Sequence, residues 1–340
     1  MRFLAILICG LWLSPEIAII FADSTTHPSM AVVTVDAQGG GDFKTVQAAI
    51  DSIPEQGTTR TVIHIKPGVY KECVNIPKEK PLIELLGDDP AATVLTYNNT
   101  HYTIGPDGKQ LGTSGSASTF VYGRDFLARN ITFQNTAGPT GQALAINIYA
   151  DRAVFQNCRF LGWQDTVMTN RNRQYFQDCY IAGHVDYIFG AATAYFKNCE
   201  LHCLGKGSIT AASTPQTATY GYVFDQCKIT SESPSASVIL GRPWRPYGAT
   251  IFMYTEIDDC ITPAGWKDWG VANQKTARYA EYKNTGPGAA TDQRAAWTRQ
   301  LSDDEASRIT IDSVLGGDDH WNPLAEIAST QPVSTMPARN

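Results

Sequence analysis

The chain has 340 residues, 43% of them hydrophobic and 18% charged, which is enough to bury a large core in one or two domains. Its formal net charge is −6 and no basic cluster interrupts the sequence, which argues against nucleic acid and anionic membrane surfaces as partners.

In chain order, the first element is MRFLAILICGLWL, one basic residue followed by an apolar run, with small Ala22 as a cleavage point. Residues 1–22 therefore read as a signal peptide and 23–31 as a linker. An uncleaved anchor is the rival, but polar ADSTTHPS follows without basic flanks, so a secreted, extracellular protein is expected rather than a membrane one. Removing residues 1–22 takes Arg2 and Glu16 together and leaves the charge unchanged.

Of eight cysteines Cys9 lies in this leader, and the remaining seven are an odd set, so at least one thiol stays unpaired within the chain. Their spacing lacks the close pairs of a zinc site, and a secretory context favours disulfides. The next element, GGGDFKTVQAAIDSI, predicts a helix capped by Asp42 with Phe43, Val46, Ala49 and Ile50 on one side, a lid for an open end. RTVIHIKPGVY and PLIELLGD read as strands. Sequons at Asn98 and Asn130 are candidate glycosylation sites.

From Phe133 onward the sequence repeats: FQNT at Phe133, FQNC at Phe155, FQDC at Phe176, FKNC at Phe196, FDQC at Phe224 and FMYT at Phe252, in steps of 22, 21, 20, 28 and 28. Short β-rich segments precede the copies and no helical stretch separates them. This predicts an all-β, single-stranded, right-handed parallel β-helix, with coils stacked about 4.8 Å apart. Leucine-rich repeats lack support because their Leu/Asn consensus is absent.

Equal phase in successive copies means proximity. Cys158, Cys179, Cys199 and Cys227 each lie three residues after a repeat Phe, so Cys179 and Cys199 are the first candidates for a disulfide, with a buried thiol ladder as the alternative. By the same phase Asp165 (ten after Phe155) stacks on Asp186 (ten after Phe176), and Gln142 (nine after Phe133) stacks on Gln164 (nine after Phe155). Two close buried carboxylates cannot both ionise cheaply, so one holds a proton while the other needs a cationic partner. Arg242, in VILGRPW, is the candidate partner. Trp163, Tyr187, Phe189, Trp244, Trp266 and Trp269 are nearby aromatics; Phe189 reads as core, whereas tryptophans at turn edges offer flat faces to a sugar ring. His184, two before Asp186, reads as a turn residue or a pH-sensitive neighbour.

Towards the C-terminus LSDDEASRITIDSVL predicts one or two short helices over the far end, giving a parallel β-helix domain at 32–326, and the patternless remainder 327–340 is expected to be disordered.

Together GDFKTVQAAIDSIP, IKPGVYKE, GQAL, GWQDT, HVDYIFG, LGRPW and AEYKNTGPGAAT strongly resemble the pectin methylesterase family of aspartyl carbohydrate esterases, from about Val32 to Pro323. The resemblance implies a pectin-lyase-like β-helix that hydrolyses C6 methyl esters of homogalacturonan to carboxylate and methanol, with no cofactor and no metal. It makes Asp186 the nucleophile, Asp165 the acid and then the base, Gln142 and Gln164 the oxyanion donors, and Arg242 the residue that orients Asp186. Trp244, Trp269, Trp163 and Tyr187 become substrate-binding candidates. Methyl-esterified pectin is the expected partner, with a proteinaceous inhibitor as a second class and a monomer as the expected state. His184, Tyr187, Trp163 and Asn147 depart from common plant residues, and the long inhibitory pro-region of many plant members is absent, so no activation beyond signal removal is expected. The alternatives are a pectate lyase or polygalacturonase, which would cleave the chain, and a non-catalytic carbohydrate-binding solenoid.

Overall fold

The computed structural model describes residues 31–329, so the signal peptide, all of the linker but Ala31, and residues 330–340 lie outside it. The described chain winds as a right-handed parallel β-helix. One eleven-stranded sheet carries Ala153–Gln156, Arg173–Gln177, Thr193–Lys197, Tyr222–Asp225 and Ala249–Met253 as successive neighbours, and every strand pairing is parallel. A second sheet of thirteen strands includes Ile146–Ile148, Val167–Thr169 and the long strand Tyr180–Gly190, itself paired to Glu200–Ala212.

The repeat is the inside of the coil. Phe155, Phe176, Phe196, Phe224 and Phe252 are in register and form a buried stack with ring centroids 4.9, 4.5, 4.5 and 4.4 Å apart. Each contact adds about 0.5–1.5 kcal/mol beyond the apolar area it buries. Two residues later Asn157, Asp178, Asn198, Gln226 and Tyr254 all take left-handed φ, from +50° to +55°, and turn the corner. Asn and Asp tolerate this conformation better than other non-glycine residues, which explains their place in the motif.

Phe133 does not belong to this stack. It pairs with Phe160 in the other sheet, while the register partner of Phe155 on the preceding coil is Ala128.

Cys179 and Cys199 are both free thiols. Cys179 Sγ donates to the carbonyls of Gln177 at 3.3 Å and Phe155 at 3.5 Å, and Cys199 Sγ to those of Lys197 at 3.4 Å and Phe176 at 3.6 Å. Side chains stacked in phase run parallel, about 4.8 Å apart, whereas a disulfide draws its Cβ atoms to about 3.8 Å. The Cα spacing permits a bridge; the Cβ directions do not. Burial also pushes the Cys199 thiol well above its ordinary range, which suppresses the reactive thiolate.

The N-terminal lid is the helix Val46–Ser52, with Val46, Ala49 and Ile50 in the main core. Its cap is Thr45, not Asp42: Thr45 Oγ1 accepts from Ala48 N at 3.3 Å, and Glu72 accepts from Val46 N and Gln47 N at 2.8 and 2.9 Å. Asp42 instead accepts from Thr34 N at 2.8 Å, tying the preceding loop to the first strand.

The C-terminal helices Asp303–Ser307, Ile311–Leu315 and Pro323–Ser329 do not close the far end. Ala306, Val314, Leu315 and Trp321 pack along the flank of the solenoid against outward residues of five coils, Leu127, Val154, Tyr175, Tyr195 and Val223. The last helix runs through Ser329, so residues 327–329 are ordered rather than part of a tail. The far end is filled by Trp266, Tyr279 and Trp297, with Trp266 Nε1 donating to Glu281 at 2.9 Å and Glu281 paired to Arg294 at 2.8 Å.

Asn98 is exposed just after the strand Thr93–Tyr97. Asn130 is a left-handed corner residue whose Nδ2, the atom a glycan would take, donates to Gly87 O at 3.2 Å.

Candidate active site

Between Leu161 and Met168 and between Ala182 and Phe189 the two coils have equal length, so Asp165 and Asp186 fall in register, and Asp165 N donates to Val185 O at 3.0 Å. Both take left-handed φ, +64° and +49°, and at Asp186 the ladder to the following coil shifts register in a local bulge. Gln142 bridges Gln164, and Gln164 bridges Val185, in parallel ladder geometry. The sequence count reached Gln142 by two cancelling offsets: Phe133 is five positions off phase, and the loop before Gln142 is five residues longer than its counterpart on the next coil.

These residues share a cavity of about 360 Å³. Gln142, Gln164, Asp165, Asp186, Arg242, Trp244 and Trp269 line it over a floor of Met168, Phe189 and Ala211. A larger cavity of about 520 Å³ lies under the C-terminal segment beside Arg278 and Leu301, but its only carboxylate, Glu305, is already paired to Arg299. The paired aspartates make the smaller one the site.

The two aspartates have opposite surroundings. Asp186, 5% exposed, accepts from Arg242 Nε at 3.0 Å and Nη2 at 2.6 Å, a bidentate charge-assisted pair, and also from Ser208 Oγ. Ser208 Oγ in turn accepts from Asp186 N at 3.1 Å, so one hydroxyl fixes both ends of the residue. The Arg242 guanidinium lies 4.1 Å from the Trp269 ring centroid, which holds it flat. The Asp165 carboxyl, 7% exposed, has no protein hydrogen-bond partner among the described residues. Burial first, and then the neighbouring Asp186 charge, push it up to about 8, against a smaller opposing pull from Arg242. At neutral pH the site thus holds a protonated carboxyl beside an ion-paired carboxylate. Neither glutamine side chain is bonded to a protein group among the described residues, which leaves both amides available to the cavity.

A family model for pectinesterase matches residues 32–318. The chain belongs to the pectinesterase family. It is 47% identical over 292 residues to pectinesterase 31 of Arabidopsis thaliana, covering 84% of this chain and 92% of that one. The solved pectin methylesterase from carrot superposes with a TM-score of 0.79 at 38% identity, covering 91% of this chain and 98% of that one. A pectin methylesterase in complex with a hexasaccharide gives 0.75 at 30% identity, covering 89% and 99%. The protein is a pectinesterase, a carboxylic ester hydrolase on a parallel β-helix.

Not every candidate of this pectinesterase reaches the groove. Tyr187 is fully buried, its hydroxyl 3.5 Å from Cys203 Sγ, because the bulge at Asp186 turns both Tyr187 and Ile188 inward. Gly183 makes room for it: a Cβ there would stand 2.3 Å from that of Tyr187. The same bulge turns Phe189 outward, from expected core to cavity floor, with its ring 5.9 Å from Trp244. Trp163 lies outside the cavity, edge-on to His184 at 5.6 Å. His184 has an enclosed Nδ1 without a partner and touches Trp163 rather than Asp186. Trp266 is core. Ser208 is the functional neighbour that sequence reasoning missed. It lies on a coil of 28 residues, where counting from the repeat Phe loses phase.

Proposed function

We propose that this pectinesterase removes the C6 methyl esters of homogalacturonan with Asp186 as nucleophile and Asp165 as acid and base. The observation that carries this reading is the asymmetry of the pair, one carboxyl raised to about 8 and unbonded, the other held bidentately by Arg242. An Asp186 oxygen attacks the ester carbonyl carbon. Gln142 and Gln164 donate to the oxyanion, each worth on the order of 3 kcal/mol in the transition state. Collapse breaks the C–O bond to the methoxy group, Asp165 gives it a proton, and methanol leaves an acyl anhydride on Asp186. Asp165, now ionised, takes a proton from water as the water oxygen attacks the acyl carbon. Collapse breaks the acyl bond to Asp186 and restores its charge, Asp165 keeps the proton taken from water, and the galacturonic acid unit departs and loses its own proton to solvent.

The sugar lies against Trp244 and Trp269. Secretion follows from the leader-like first 22 residues, and Asn98 is the better-presented glycosylation site. A monomer acting on pectin, open to a proteinaceous inhibitor at the groove, completes the reading. The test is methanol release from highly methylated pectin, with chelator present and viscosity followed in parallel. Methanol without viscosity loss, abolished by Asp186→Asn, is expected. Chain cleavage, or full turnover by the variant, would overturn it.

A further inference from the structure

The cavity of about 520 Å³ beside Arg278 lies on the flank of the eleven-stranded sheet, under the C-terminal segment, and none of its wall residues lines the catalytic cavity. Strand register accounts for the space. Ala280 is in register with Ile251 and, through it, with Val223, Tyr195 and Tyr175, so a methyl group stands where earlier coils place large side chains. Ala249, equally small, pairs with Arg278 on the next coil. Leu301 and Ile309 of the C-terminal segment close over the gap that these alanines leave.

Arg278 differs from the other cations of this wall. Arg299 is paired to Glu305 and Arg308 to Asp304, whereas Arg278, half-buried, meets no carboxylate among the described residues. A guanidinium has five N–H donors. Nη1 of Arg278 gives two, to the carbonyls of Ala218 and Thr219, each at 2.8 Å, and Nη2 gives one to Tyr247 O at 3.1 Å. Its Nε is enclosed without a partner, and one Nη2 hydrogen is unbonded among the described residues. Nε and Nη2 are the two nitrogens with which Arg242 grips Asp186 in the active site. Burial alone pulls the Arg278 pKa down, with no acid opposing it.

We propose that this flank cavity is a binding site for a small carboxylate with an apolar body, its carboxylate paired to Arg278. A desolvated guanidinium without a counter-ion is costly, and an incoming anion offsets that cost. One planar carboxylate matches two donors of one guanidinium. The remainder of the ligand meets Ala249, Ile251, Ala280, Leu301 and Ile309, with Tyr220 and Trp297 as aromatic walls. Sugar hydroxyls find no free acid there, because Glu305 already accepts from Arg299 and from Ser302 N at 2.8 Å. A sugar acid therefore loses its hydration without regaining hydrogen bonds, and an aliphatic or aromatic acid does not. The volume falls within the range of small-molecule sites, about 300–1,000 Å³.

The test is isothermal titration of the protein at neutral pH and low salt with 2-naphthoate and with its uncharged analogue 2-naphthamide. Wild type is expected to bind the acid at least about tenfold more tightly than the amide, as a charge-assisted hydrogen bond allows. Arg278→Met keeps the apolar stem and removes the charge; the Kd of the acid should rise about tenfold, to that of the amide. Ala280→Phe keeps Arg278 and puts a ring at the row position that Tyr175 and Tyr195 hold on earlier coils; it should weaken both ligands at least about tenfold by filling the cavity. Arg278→Met also gives up the bonds to three carbonyls, so Ala280→Phe decides where that variant does not fold, and the reverse holds equally. No preference for the acid in wild type, a preference retained by Arg278→Met, or a Kd unchanged in Ala280→Phe overturns the site.

Discussion

Asp165→Asn should make the protein both inactive and more stable at neutral pH. An aspartate in an unfolded chain titrates near 3.9, whereas burial and the adjacent Asp186 charge raise Asp165 to about 8 in the fold. Its folded value is the higher, so its favourable contribution is complete below pH 4 and is lost as pH rises towards 8. In that window the unfolded chain has released a proton that the folded chain still binds, and stability falls by about 1.4 kcal/mol per pH unit. Asparagine has no proton to release and lacks this slope. The stability difference, variant minus wild type, should therefore grow by about 3 kcal/mol between pH 5 and pH 7, read from urea midpoints by tryptophan fluorescence at each pH. Methanol release should fall by about 10²–10⁴-fold, the usual worth of a positioned proton donor. A difference that stays flat with pH, or a variant less stable at pH 7, would refute the assignment of Asp165 as the protonated member of the pair.

On the proposed mechanism Asp165 must hold its proton to expel methanol, so kcat/KM in wild type should decline as pH rises through about 8, measured by initial rates of methanol release. Arg242→Gln leaves the buried Asp186 charge without its partner; a stability loss of about 3 kcal/mol and at least a 100-fold loss of kcat are expected, with Arg242→Lys recovering more stability than activity. Ser208→Ala frees one Asp186 oxygen and its backbone N–H, and should lower kcat about tenfold with KM unchanged in steady-state kinetics. Unfolding without reductant in the presence of an alkylating agent should label both Cys179 and Cys199, as read by peptide mapping.

What the sequence made legible follows from where coil length is constant. Asp165 and Asp186 are 21 residues apart on coils without insertions, so counting from the repeat Phe placed them together. Gln142 was reached through cancelling offsets, and Ser208, on a long coil, was beyond any count. Tyr187 and Phe189 exchanged places because strict alternation along a strand fails at a bulge, and no apolar pattern around HVDYIFG announces one. The Cys179 and Cys199 pairing failed for a different reason: equal phase brings the Cα atoms within bridging range but sets the side chains parallel, without the convergence a disulfide needs. The C-terminal helices show amphipathic faces in sequence, yet whether such a face covers an end or a flank depends on outward apolar residues spread over five coils.

The left-handed corners at Asp165 and Asp186 connect the fold to the chemistry. A left-handed residue other than glycine costs about 1 kcal/mol, and aspartate bears that cost better than most because its short side chain bonds locally. The corner ladder of Asn157, Asp178 and Asn198 uses the same preference with no catalytic purpose, so Asp at such a position is first a conformational choice. What distinguishes Asp165 and Asp186 is that their corners lie on the face where Arg242 and two glutamines converge, and that stacking then forces two carboxyls to within one coil spacing. The splitting of their protonation states is a consequence of the solenoid repeat. It also determines which substitutions are informative. Alanine at Asp186 would disturb the corner, the inward turn of Tyr187 and the outward turn of Phe189 together, and lost activity would not separate shape from charge. Asparagine keeps the left-handed preference and the volume, and isolates the carboxylate.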